Sequence, residues 1–140
     1  MRAKGIGVCL RMGLACRPTR EEAISAARAL LPEDESGGQR ETIALRDDSH
    51  MHKEAAATAE RESWLSESLW TGLVPHYGPV WTTLIGSPNE VAEAFLGYKR
   101  IGVTEFIISG CPEVDELTRF ARDVLPLVRE AERRDAWHVV

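Results

Sequence analysis

The sequence predicts an α/β domain built from parallel βα units. Three observations carry that prediction. The stretch Thr82–Glu130 alternates short β-prone runs with amphipathic helical patterns. The segment from Gly5 to Leu31 repeats the same strand–turn–helix form. Two capping boxes, Thr19 with Glu22 and Ser87 with Glu90, mark helix starts directly behind the strands.

Each element follows from its residues. Gly5 to Arg17 is mostly apolar, with Val8, Cys9, Leu10, Met12, Leu14, Ala15 and Cys16, and reads as a strand interrupted by Arg11. Arg17-Pro18-Thr19 is its turn, Ala23–Leu31 is the helix, and Pro32 breaks it. Pro32–Asp48 is rich in Glu, Asp, Ser and Gly and reads as a mobile loop. His52–Leu65 is Ala- and Glu-rich and expected to be helical, and Ser68–Val80 reads as an ordered loop. Thr82–Ile85 is a short strand ended by Gly86. Ser87 caps the next helix, Pro88 occupies its first position, and Val91, Ala94, Phe95 and Tyr98 form its apolar stripe. Gly102 stands just past that helix, where a left-handed residue is wanted. Phe106–Ile108 is a continuous apolar run, expected of a strand covered on both faces. Val114, Leu117, Phe120, Ala121, Val124 and Val128 form the stripe of the last helix. Pro126 is expected to kink or end that helix near Leu125. Parallel strands joined by helices build (β/α) barrels or doubly wound sheets, which place chemistry at strand C-terminal ends.

Bulk composition narrows the function. The chain of 140 residues is one domain, with residues 32–72 as an insertion or lid-like segment between the first two βα units. Lys plus Arg is 17 and Asp plus Glu is 22, a net charge of −5 that gives no support for nucleic-acid binding. Cys9, Cys16 and Cys111 lack CxxC spacing, and an odd, sparse set fits a reducing, cytoplasmic compartment. No apolar run is long enough to span a bilayer, and Arg11 interrupts the stretch that would have to serve as a signal peptide.

Three stretches carry a resemblance: LRMGLACRPTREEA, then LWTGLV, then TTLIGSPNEVAEAFLGYKRIGVTEFIISGCPEVDELTRFARDVLPLV. Together they resemble the C-terminal part of a bacterial luciferase-like, flavin-dependent monooxygenase, in particular the alkanesulfonate monooxygenase branch. The resemblance implies a partial TIM (β/α)8 barrel comprising the sixth to eighth βα units. A whole barrel takes roughly 250 residues and eight strands. It also implies reduced FMN (FMNH2) and O2 as co-reactants, a separate NAD(P)H-dependent flavin reductase, and a small organic substrate. Most flavin contacts of the family lie on earlier barrel units, so the chain alone is expected to be weakly active or inactive. The alternative is a noncatalytic α/β remnant that pairs with a partner chain, a missing barrel half or a second copy through open strand edges.

The resemblance also suggests site residues. Arg11 matches an arginine on the sixth strand that points into the site, where a guanidinium holds a sulfonate or stabilises an anionic oxidant. The competing reading is a strand arginine at an edge, or one paired with a carboxylate. Ser109 and Cys111 sit in the Ser-Gly-Cys-Pro turn at the end of the last strand, as substrate-binding groups or as small residues closing a turn. His76 and Tyr77 take the place of a lid arginine, or simply pack their loop. Gly13 and Cys111 replace a histidine and a tyrosine of the sulfonate branch, which leaves the substrate open. Trp70 reads as a core or lid anchor. His50, His52 and Glu54 have metal-ligand chemistry but no further histidine cluster, so no metal is expected.

Overall fold

The computed structural model describes residues 6–33, 49–110 and 113–136. Strand β1 (Cys9–Cys16) leads into helix α1 (Arg20–Arg28). Helix α2 (His50–Arg61), the two-residue strand β2 (Leu69–Trp70), helix α3 (Val74–Tyr77) and a 3-10 turn (Pro79–Trp81) follow. Then come β3 (Thr83–Gly86), α4 (Pro88–Arg100), β4 (Glu105–Gly110) and α5 (Glu113–Arg119). A π-helical turn (Phe120–Val124) joins α5 to α6 (Leu125–Ala136).

Local signals and local structure agree at the helix starts. The Thr19 hydroxyl accepts from the Glu22 N–H at 3.3 Å, and Glu22 accepts from the Thr19 N–H at 3.1 Å. Ser87 and Glu90 exchange the same pair of bonds, with Pro88 in the first turn. Gly102 adopts φ 103°, the left-handed conformation that ends α4. Pro126 does not end the last helix. The turn before it widens instead, so that the Leu125 N–H reaches the Phe120 carbonyl and the helix passes over the proline.

The sheet order is β2-β3-β1-β4, with β1 parallel to both β3 and β4 and β2 antiparallel to β3. The expected α/β architecture is present, but its lateral order is not that of consecutive barrel strands, which would place β3 in the middle. The chain leaves β1 in one direction to reach β3 and must cross back over β1 to reach β4. Right-handed crossovers in opposite directions put their helices on opposite faces.

The two cores match that rule. Met12, Leu14 and Cys16 of β1 and Leu84 of β3 pack under Val91, Phe95 and Leu96 of α4, with Val124 and Val128. Phe95 meets Phe106 edge-on at 4.7 Å. Full burial of each large side chain here is worth roughly 1.5–3 kcal/mol. On the other face Ala15 and Ile85 pack against Ala23 and Ala27 of α1, with Trp70 and Leu73.

Two sequence expectations change. The Phe106–Ile108 run is covered on one face only: β4 ends the sheet, α1 sits over β1 and β3, and Ile107 is 51% exposed. The stripe of the last helix also splits. Phe120, Val124 and Val128 face the core, while Val114 and Leu117 are exposed. No helix among the described residues is long and apolar enough to cross a membrane.

Candidate functional site

The C-terminal ends of β1 and β4 converge where α1 and α5 leave on opposite faces. In open α/β sheets this switch point is the usual place for a ligand. Here it holds a buried carboxylate. Gly110 lacks a side chain, and a Cβ there would lie 2.4 Å from Glu116 Cβ and 2.6 Å from its Cγ. That space lets α5 drop onto the strand end and bury Glu116 completely. Glu116 Oε1 accepts from the Cys16 backbone N–H at 2.6 Å. Its Oε2 accepts from Arg17 Nη1 at 2.6 Å and from Arg119 Nη2 at 3.3 Å. Arg17 Nη1 also donates to the Cys16 carbonyl at 2.7 Å.

Burial pushes the Cys16 thiol up from 9.0 to about 11, with the Glu116 and Asp123 carboxylates adding to the effect and Arg17 and Arg119 opposing it. Cys16 therefore stays a thiol at neutral pH and is no nucleophile. Glu116 accepts from three donors, which commits most of its carboxylate to tying β1 to α5. Arg17 and Arg119 keep 20% and 28% of their side-chain surface in water, while Arg119 Nε is buried without a hydrogen-bond partner.

A second polar centre lies at the start of α4. Arg20 bridges to Glu90 at 3.5 Å, donates to the Glu67 carbonyl and stands 5.2 Å over the Trp64 ring. The Ser87 N–H, then the Ser87 hydroxyl and Arg20, hold the Glu90 carboxyl below the usual range. The adjoining cleft, about 550 Å³, carries Glu67, Glu90 and Glu93 beside Asn89.

The sequence-predicted residues divide into separate groups. Arg11 is exposed and pairs across the sheet with Ile107. Ser109 pairs with Gly13 two residues further on, so Arg11 and Ser109 share one face of adjacent strands. Arg11 has no ion-pair partner among the described residues. His76 and Tyr77 sit elsewhere. The Tyr77 hydroxyl donates to the Leu30 carbonyl at 3.0 Å, and its ring lies 5.6 Å from Trp81 and 6.2 Å from His76. Leu30 is eleven residues along from the Thr19 cap, about 16 Å at helical rise, so this pair lies towards the far end of α1 from the strand C-termini. Cys111 lies outside the described residues. His50 approaches Glu54 at 3.9 Å on the exposed surface of α2, and no trio of metal-ligating side chains is assembled among the described residues.

Sequence reading missed Glu116 and Arg17. A glutamate in the first turn of a helix suits the helix dipole, which masks any other role. The available signal was its spacing: Glu116, Phe120, Val124 and Val128 recur at every fourth residue, so a carboxylate stands on the core-facing stripe.

No family model matches the chain. The fold is shared with a solved structure, riboflavin lyase (RcaE) with modified FMN and the substrate riboflavin. The TM-score is 0.59 at 21% sequence identity, covering 91% of this chain and 32% of that one. The chain thus spans about a third of the length of the protein it matches. That likeness establishes a common fold.

The described residues do not by themselves fit FMN. The strand-end arginines are already bound to Glu116, and a phosphate in the Glu67–Glu90–Glu93 cleft would meet three carboxylates. A histidine at Gly13, as in the alkanesulfonate branch, would also collide with Thr83: even a Cβ there lies 2.8 Å from the Thr83 hydroxyl.

Proposed function

We propose that this chain forms the substrate side of an FMNH2-dependent, luciferase-like monooxygenase that uses O2 on a small organic molecule. The supporting observation is the fold shared with a flavin enzyme across 91% of the chain. Arg11 and Ser109, on one face of neighbouring parallel strands, are the groups assigned to the substrate, with Arg11 recognising an anionic part of it. Cys111 remains assigned to the rim of the site, while His76 and Tyr77, towards the far end of α1, are assigned to the packing of their own segment. The flavin phosphate is held by polypeptide other than the described residues, because these offer it no free cation cluster. The reduced flavin comes from an NAD(P)H-dependent reductase in the cytoplasm.

The test compares riboflavin with FMN by difference spectroscopy of the flavin band. Weak and equal binding of both, unchanged in Arg11→Ala, is expected of a chain that meets the ring side and not the phosphate and whose Arg11 serves the substrate. FMN binding far tighter than riboflavin binding contradicts the assignment of the phosphate to other polypeptide. No spectral change up to the flavin solubility limit contradicts the flavin reading itself.

A second reading has its own observation. Among the described residues strand β4 ends the sheet with an open edge, and its own Ile107 is exposed. On this reading the chain associates through that edge, and its mass in solution decides.

A further inference from the structure

We infer that the last helix, α5 to α6, carries two registers in its sequence, and that Pro126 holds it in the one that seats Glu116 at the ends of β1 and β4. This goes beyond the flavin reading and does not rest on it. Two stripes overlap on the helix. One is Glu116, Phe120, Val124 and Val128, spaced by four throughout. The other is Val114, Leu117, Ala121, Val124 and Val128, spaced by three and four in alternation. The second is the ordinary pattern of one helix face. The first is not. Each step of four overshoots a turn by about 40°, so Glu116 and Val128 would stand about 120° apart on a straight helix.

The fold nevertheless buries the first stripe. Glu116, Val124 and Val128 are buried, and the Phe120 ring lies 5.4 Å from that of Phe95. Val114, Leu117 and Ala121 are exposed and line an apolar groove with Thr118 and Arg122. The π-helical turn Phe120–Val124 makes this possible. Its bond from the Leu125 N–H to the Phe120 carbonyl spans five residues, so the turn holds one residue more than an α turn. That extra residue brings Glu116 back to within about 20° of the Val128 line. On a straight helix the same place, about 20° from Val128, falls to Leu117, and Ala121 takes the position of Phe120.

Pro126 decides between the two. In a straight helix its ring meets the carbonyl four residues back, that of Arg122. The widened turn contains Arg122 and lies directly before Pro126, where that clash would fall. The straight register exchanges Glu116 for Leu117 at the strand ends. It withdraws the carboxylate from the Cys16 N–H and from Arg17, and so frees a guanidinium where open α/β sheets take their ligands. The helix is thus a latch on the strand ends, with two packings of one element.

Ala121→Cys in a Cys9→Ser, Cys111→Ser background reports the register by its rate of reaction with an aromatic disulfide reagent, since Cys16 is buried. With Pro126 in place the thiol at position 121 should react fast. Adding Pro126→Ala should slow it at least tenfold, with helical circular dichroism retained. Deleting Arg122 as well should restore fast reaction, because a straight helix one residue shorter seats Glu116 again and turns position 121 outward. An unchanged rate in Pro126→Ala overturns the inference. So does slow reaction that persists in the deletion variant, because the protection is then not a matter of register. An unfolded Pro126→Ala or deletion variant overturns it as well, because the phase argument gives each a seated helix.

Discussion

Removing the Glu116 carboxylate should destabilise the fold, and two variants separate the reasons. In Glu116→Gln the side chain keeps its volume and one oxygen to accept the Cys16 N–H, but the charge opposite Arg17 and Arg119 is lost. Breaking a buried ion pair costs about 3–5 kcal/mol. Both guanidinia are partly in water, at 20% and 28%, and recover hydration, so about 2 kcal/mol is the better figure. In Glu116→Ala the buried Cys16 N–H also loses its acceptor, which adds about 1–2 kcal/mol. The expected order is wild type, then Gln, then Ala, with Ala about 3–4 kcal/mol below wild type.

Urea denaturation at constant m-value reads these differences directly. For a chain of this length the Ala variant should melt roughly 10 °C lower. An Arg17→Met, Glu116→Gln double variant should be less destabilised than the sum of its singles, because the two groups share one contact. An Ala variant within about 1 kcal/mol of wild type would refute the claim that this carboxylate ties β1 to α5.

Two further outcomes follow from the same region. The Cys16 thiol is raised in the folded chain from 9.0 to about 11, so its contribution is fully present below pH 9 and lost as pH climbs through 11. Stability measured from pH 8 to 11 should therefore fall, and Cys16→Ala should flatten part of that slope; an identical slope in the variant removes Cys16 as its source. Gly110→Ala places a methyl 2.4 Å from Glu116 Cβ, and the resulting overpacking should cost about 1–3 kcal/mol in urea denaturation. A neutral Gly110→Ala would mean that α5 shifts freely on the strand end.

What was legible in the sequence was local. The capping pairs Thr19–Glu22 and Ser87–Glu90 and the left-handed Gly102 depend on neighbours within a few residues, and all three are found. Strand order depends on contacts far apart in sequence. Nothing in Phe106–Ile108 says that β4 pairs with β1, whose Arg11 lies 96 residues before its partner Ile107. The two-residue β2 was hidden for the same reason: Leu69-Trp70 is too short to show a period, and only its pairing with Leu84 and Thr83 makes it a strand. The two residues proposed for the substrate, Arg11 and Ser109, are legible as a polar break in an apolar run and a strand-end turn. The Glu116 network was not, because a glutamate in a first helical turn is usually solvated.

The exposure of Arg11 joins the site to the open edge. In water, a guanidinium attracts an anion 4 Å away by only about 1 kcal/mol, too little to select a substrate. Near a covered protein surface the same pair gains about 4 kcal/mol. Arg11 and Ser109 stand on the α1 face of the sheet, and Ser109 lies on the strand that ends it. Polypeptide that extends the sheet beyond β4 and continues over this face would exclude water from Arg11 and leave its charge in need of a partner. An anionic substrate group is one such partner. Binding strength at Arg11 should therefore track what lies beyond β4, and a flavin or substrate titration is informative about this residue only when the state of association is known.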